Sequence, residues 1–175
     1  MNILLIGYRG VGKTTVAELL SERLGWPWMD TDVLIEAAGG KPIKEIFAND
    51  GERRFRDLET EVILETCRKP HCVIALGGGA VLREQNRATI EPDSSVVWLR
   101  ASVATIRSRI LADPTTLSRR PNLTARGGES EIRLLLEERS PIYRSCANIE
   151  VHVDDKAPHD VVMEILAQLE LGIEG

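Results

Sequence analysis

The sequence lacks most of what would mark a membrane protein, a disulfide scaffold or a nucleic-acid binder. No apolar run approaches the length needed to cross a bilayer. The opening residues, Met1-Asn2-Ile3-Leu4-Leu5-Ile6, carry neither a positive stretch nor a small-residue cleavage site. No membrane partner and a cytoplasmic address are therefore expected. Cysteine is scarce: Cys67, Cys72 and Cys146 are odd in number and have no metal-ligand spacing, which predicts reduced structural thiols. Positive charge is not in excess either. A net charge of -5 leaves no basic surface of the kind that counterion release on a nucleic acid requires. His71, His152 and His159 have no partners at useful spacing and are read as structural or surface residues. Repeats and low-complexity linkers are absent too, so the 175 residues predict one domain, 1–175.

What is present is an alternation of patterns. Strand-like runs at Ile3–Ile6, Trp28–Met29, Cys72–Leu76, Val96–Leu99 and Ile149–Val153 are separated by helical periodicity. The helical stretches are Thr14–Leu24, Arg53–Arg68, Val81–Ile90, Ser102–Leu111, Glu129–Ser140 and His159–Leu169. Such alternation predicts an α/β fold with a parallel sheet covered by helices on both faces. The C-terminal apolar helix reads as core packing rather than an oligomer seam. The least regular stretch, residues 112–128, holds two prolines, a Gly-Gly pair and Arg119-Arg120. A long loop of this kind inside a compact domain is commonly functional.

Between the first strand and the first helix stands "GYRGVGKTT", which fits G-x-x-x-x-G-K-[ST] with Gly7, Gly12, Lys13 and Thr14. Glycines let successive backbone N–H groups turn inward around phosphate oxygens, and the following helix adds the positive end of its dipole. Lys13 supplies a mobile charge to the terminal phosphates, and the Thr14 hydroxyl suits magnesium. The anion is read as a nucleoside triphosphate. No Asn-Lys-x-Asp follows to read guanine, and no Asp-x-x-Gly follows the third strand, which weighs against a nucleotide switch.

Three further groups address an acceptor. Asp30-Thr31-Asp32 ends the second strand, and alternation along an extended segment allows both carboxylates to face one site. One suits magnesium through its water shell and the other suits a base; the competing reading is that Asp32 only caps a helix over Val33–Ala38. Arg56 precedes Glu59 by three residues, so the carboxylate can pin the guanidinium for an anionic ligand, unless the two form a solvated surface pair. Gly77-Gly78-Gly79 follows the third strand and predicts close backbone approach to a ligand or a neighbouring segment.

Taken together, Gly7-x-x-Gly10-x-Gly12-Lys13-Thr14, Asp30-Thr31-Asp32, Phe55-Arg56-x-x-Glu59, Gly77-Gly78-Gly79-x-Val81-Leu82, Arg120-Pro121-x-Leu123 and Arg139-x-Pro141-x-Tyr143 resemble, in order and spacing, the shikimate kinase family. The resemblance covers essentially the whole chain. It implies a P-loop NTPase-type three-layer fold with a five-stranded parallel sheet, and transfer of the γ-phosphoryl group of ATP to the 3-hydroxyl of shikimate. It further implies Lys13, Asp32 and Arg120 as catalytic residues, with Asp32 the candidate base. Nucleotide would be held by Gly10, Val11, Gly12, Lys13, Thr14, Thr15, Arg109 and Arg120, and Mg²⁺ by Thr14 and Asp30. Shikimate would be held by Asp32, Arg56, Gly78, Gly79 and Arg139, with residues 112–128 forming a mobile lid that brings in Arg120. A monomer is expected. Two other readings stand beside this one: another small-molecule P-loop kinase, such as a gluconate kinase, and a nucleotide-dependent regulatory protein without turnover.

Overall fold

Five residues, Asn2–Ile6, form the central strand β1 and are buried from end to end, as a parallel strand covered on both faces must be. In a computed structural model of the chain, which describes residues 1–90, 94–113 and 128–169, four more strands join it. They are β2 (Trp28–Asp30), β3 (Val73–Ala75), β4 (Ser94–Arg100) and β5 (Ile149–His152). All pairings are parallel, in the order β2-β3-β1-β4-β5, and Leu4 of β1 pairs with Ile74 on one side and Val96 on the other. The helices are α1 (Lys13–Leu24), α2 (Thr31–Gly39), α3 (Ile43–Glu45), α4 (Gly51–Cys67), α5 (Glu84–Ile90), α6 (Val103–Ala112), α7 (Gly128–Cys146) and α8 (Pro158–Gln168). The expected five-stranded parallel sheet flanked by helices is the architecture observed.

Period-two alternation splits the strands between two cores. Ile3, Leu5, Val73, Ala75, Val97 and Leu99 pack against Val16 and Leu20 of α1, Ile106 and Ile110 of α6, and Val161 and Ile165 of α8. Leu4, Ile6, Ile74, Val96 and Trp98 pack against Ile63 of α4 and Ile90 of α5. Helix α7 enters both, with Ile132 and Leu135 in the first core and Tyr143 and Cys146 in the second. A third cluster, Ile35, Ile43, Ile46, Phe55, Leu58 and Val62, welds α2 and α3 to the start of α4. It fixes the helix turn that carries Arg56. Burial of one such side chain contributes about 1.5–3 kcal/mol.

Several boundaries differ from the sequence reading. Helix α2 begins at Thr31, and its N-cap is Asp30, whose side chain accepts from the Asp32 amide. Asp32 therefore lies inside the first turn and does not cap Val33–Ala38. The helix expected over Val81–Ile90 is a short 3-10 turn, Ala80–Leu82, then Arg83 in an extended conformation, then α5. Helix α7 does not stop at Ser140 but runs through Pro141 to Cys146. Burial outweighs the lost amide there, because Tyr143 is fully buried and packs on Trp98 with ring centroids 5.7 Å apart.

The cysteines are free thiols, with Cys72 and Cys146 buried and burial pushing the Cys67 thiol up to about 11. His71 stands edge-on to Trp26 at 5.1 Å, and His152 lies 3.4 Å from Glu150. Among the described residues, no helix is long and apolar enough to cross a membrane.

Candidate active site

Strand β1 delivers the chain at Gly7 to the carboxyl edge of the sheet, where ligands bind in open α/β folds. The loop that follows depends on backbone conformations closed to most residues. Gly12, the N-cap of α1, sits at φ 97° and makes no side-chain cap, so the first-turn amides of α1 face the loop without a side-chain acceptor from that position. The Lys13 ammonium donates to the carbonyls of Gly7 and Tyr8, both at 2.9 Å, and thereby closes the loop on itself. Arg109, on α6, donates to the Val11 carbonyl at 3.0 Å and to the Val153 carbonyl at 3.2 Å. It also lines a hollow of about 220 Å³ with Gly12, Thr15, Lys156 and Pro158.

Beside the loop, the Thr14 hydroxyl donates to Asp30 Oδ2 at 2.7 Å. A hydroxyl and a carboxylate oxygen this close form the hard-oxygen donor set that Mg²⁺ accepts while keeping several waters, so these residues fit the ion. Asp30 and Asp32 line one cleft with Lys13 and Thr14. They reach it across a strand-to-helix junction, rather than as alternate residues of one extended segment.

The other wall is assembled over long sequence distances. Glu59, 1% exposed, holds Arg56 Nη1 through Oε2 at 2.7 Å, and the Arg56 guanidinium packs 5.1 Å from the Phe55 ring centre. The pair is thus nearly buried, not solvated. Its guanidinium lies against Gly79, where an added Cβ would stand 2.7 Å from Nη1. Arg139, also buried, donates to the Gly78 carbonyl at 3.4 Å and faces the Tyr8 ring at 5.9 Å. The Tyr143 hydroxyl donates to the same carbonyl at 2.5 Å. The glycine pair therefore brings together two arginines that the sequence separates by 83 positions (139 minus 56).

The cleft between these walls measures about 460 Å³. Its apolar side is Trp28, Val33, Ile43 and Leu76, none of which the sequence reading singled out. Among the described residues, Arg56 and Arg139 are not part of its lining: Arg139 meets it through Gly78, and Arg56 lies one residue further back, against Gly79. Arg9 also lines it and was missed, because the phosphate-loop pattern leaves that position open. Residues 114–127, with Arg120 and most of the expected lid, lie outside the described residues.

Comparison with known proteins places this geometry in context. The family model for shikimate kinase matches residues 9–170. A shikimate kinase of Symbiobacterium thermophilum is 42% identical over 170 residues, which are 97% of this chain and 97% of the relative. The structure of a shikimate kinase from Acinetobacter baumannii in complex with shikimate superposes with a TM-score of 0.90 at 34% identity, over 99% of this chain and 95% of the other. A gluconokinase from Sinorhizobium meliloti superposes with a TM-score of 0.59 at 18% identity, over 97% of this chain and 91% of the other, a likeness of fold alone.

Proposed function

The chain belongs to the shikimate kinase family, and from that premise we propose that it transfers the γ-phosphoryl group of ATP to the 3-hydroxyl of shikimate. The observation that carries the reading is the Gly78-Gly79 pair, with Arg56 packed on Gly79 and Arg139 bonded to Gly78, which lies against the phosphate loop and lines one cleft with Lys13, Thr14 and Asp32. A small carboxylate with ring hydroxyls needs guanidinium for its acid group, a carboxylate for its hydroxyls and a phosphate cradle within reach.

In this mechanism Arg56 and Arg139 hold the substrate carboxylate, and the Gly78 and Gly79 backbone approaches the ring. Asp32 orients the 3-hydroxyl and accepts its proton as the oxygen attacks the γ-phosphorus. The new P–O bond forms as the bond to the bridging oxygen breaks, and ADP leaves. Backbone amides from Gly10 to Thr15 and the Lys13 ammonium balance charge on the phosphates, and Arg109 borders the hollow suited to the base. Thr14 and Asp30 would hold Mg²⁺, which supplies charge neutralisation on the β- and γ-phosphate oxygens. The proposal treats 1–175 as one kinase domain that works as a monomer. The apolar face of α8, with Val161, Val162, Ile165 and Leu166 packed into the first core, supports that state. The lid over 112–128 and the role of Arg120 belong to the same proposal on sequence grounds.

The test is ADP release from ATP and Mg²⁺ by purified protein with shikimate, with gluconate and with neither, and with the product identified. Shikimate-dependent release yielding the 3-phosphate is expected. Release with gluconate alone would keep the phosphate loop and overturn the roles of Arg56 and Arg139. No release with either would return the regulatory reading.

A further inference from the structure

Arg9 occupies an unconstrained position of the phosphate loop, yet its environment is specific. Its side chain is 10% exposed, and Nη2 donates to Oε1 of Glu131 at 3.0 Å, across 122 residues of sequence. Glu131 is itself buried, in the first turns of α7. A guanidinium has five N–H donors, and this carboxylate engages it through one nitrogen. Nε and Nη1 are buried and have no hydrogen-bond acceptor among the described residues. Buried charged donors left without an acceptor are costly, and in a native site they call for a partner beyond the described residues. Arg9 lines the cleft that Lys13, Asp32 and Gly78 also line, which places that partner in the same cleft.

The construction repeats one already seen on the opposite wall. There a buried Glu59 pins Arg56 at 2.7 Å beside Gly79; here a buried Glu131 pins Arg9 at 3.0 Å, and the Arg9 backbone amide lies 3.4 Å from where a Cβ on Gly78 would stand. Arg9 and Arg139 also share one ring, their guanidinium carbons lying 6.0 Å and 5.9 Å from the Tyr8 centroid. Glu131, Leu135, Arg139 and Tyr143, spaced by four, form one buried stripe of α7, so the helix that presents Arg139 also holds Arg9. Phosphate cradling is the task of the backbone amides and Lys13 of the same loop, whereas Arg9 is tied to the glycine pair and to the helix of Arg139.

We infer that Arg9 is a further substrate-binding residue, a guanidinium held by Glu131 that donates through Nε and Nη1 to the carboxylate of the acceptor. This rests on the shikimate kinase reading of the cleft. It makes Glu131 a positioning residue, and it divides acceptor recognition between the phosphate loop and the two walls of the glycine pair.

The test uses the full chain carrying Arg9→Met together with Glu131→Gln, so that neither buried charge is left alone, with the unmodified chain assayed in parallel. The expected result is a rise in KM for shikimate of at least tenfold with KM for ATP changed less than twofold. An uncharged triol acceptor lacking the carboxylate should be used equally well by both proteins. Arg9→Lys keeps a cation opposite Glu131 but loses the planar fork, and it should raise KM for shikimate at least fivefold. This variant carries the test if the double variant does not fold. Unchanged shikimate KM in a folded variant overturns the inference, as does a rise confined to ATP, which would assign the donors to the phosphoryl donor. An unmodified chain that fails to phosphorylate shikimate would overturn the functional reading, and this inference with it; an active unmodified chain beside an unaffected variant overturns the inference alone.

Discussion

The two walls of the cleft are built in different ways. The phosphate wall is local: Lys13 bonds to carbonyls five and six residues earlier, and Thr14 meets Asp30 across sixteen. The acceptor wall is assembled from afar, with Arg139 meeting Gly78 across 61 residues and Tyr143 meeting it across 65. A local wall depends on backbone conformation, so its signature survives as a short pattern. A distant wall depends on the packing of α4 and α7 against the sheet, so damage to it should appear first in acceptor binding, with nucleotide binding spared.

The sharpest way to break that contrast is at the residue between the walls. Asp32→Ala should leave both substrates bound and lower kcat by about 10²–10⁴, the range for loss of a positioned general base. Steady-state kinetics with both substrates varied would check this. A loss seen mainly in KM for ATP would move Asp32 to the phosphate wall.

Next in size is Arg139→Ala. Truncating one member of a buried charged contact costs about 2–5 kcal/mol, which corresponds to a rise in KM for shikimate of about thirtyfold or more. ADP binding, measured by calorimetry, should be unchanged. Equal losses on shikimate and on an uncharged triol would remove Arg139 from the carboxylate and leave it only its bond to Gly78.

Gly79→Ala probes the same wall more gently. Its φ of -104° is open to any residue, so the effect is purely one of space: the new Cβ would sit 2.7 Å from Arg56 Nη1 and 2.8 Å from Nη2. The guanidinium must shift while Glu59 holds it, and overpacking of this kind costs about 1–3 kcal/mol. About a tenfold rise in KM for shikimate is expected, with the melting temperature reporting the part of the cost that falls on stability.

This division also explains how much could be read in advance. The sheet, its strand regions and the phosphate loop follow from apolar periodicity and one glycine-lysine pattern, and they stand where they were expected. Asp30 and Asp32 were found through chain position, but their relation was misread, because an N-cap is decided by one hydrogen bond that periodicity does not reveal. The helical stretch read over Glu129–Ser140 stops short of Pro141, while the burial of Tyr143 against Trp98 carries α7 through it to Cys146. The Arg9–Glu131 contact left no signal in the chain, since nothing local links residues 122 positions apart. The apolar lining of Trp28, Val33 and Ile43 was equally invisible, because each also fits an ordinary core or surface position.

The smallest prediction uses an ion pair outside both walls as the control for those within them. Arg100, 42% exposed, donates from Nη1 to Glu150, 31% exposed, at 2.7 Å. That hydrogen bond holds the Glu150 carboxyl below its ordinary value, against the opposing effect of partial burial. A carboxyl lowered in the folded state contributes stability above its unfolded pKa, about 4.3, and loses it as pH falls through the folded value. Solvent screens the pair, so Arg100→Gln should cost less than about 1 kcal/mol at pH 7 by denaturant unfolding. The difference from the unmodified chain should shrink as the pH drops below about 4. A cost above about 3 kcal/mol, the lower range for breaking a buried pair, would put this exposed pair on a level with Arg56–Glu59. Burial would then no longer be what distinguishes the pinned arginines of the acceptor wall from the salt bridges of the surface.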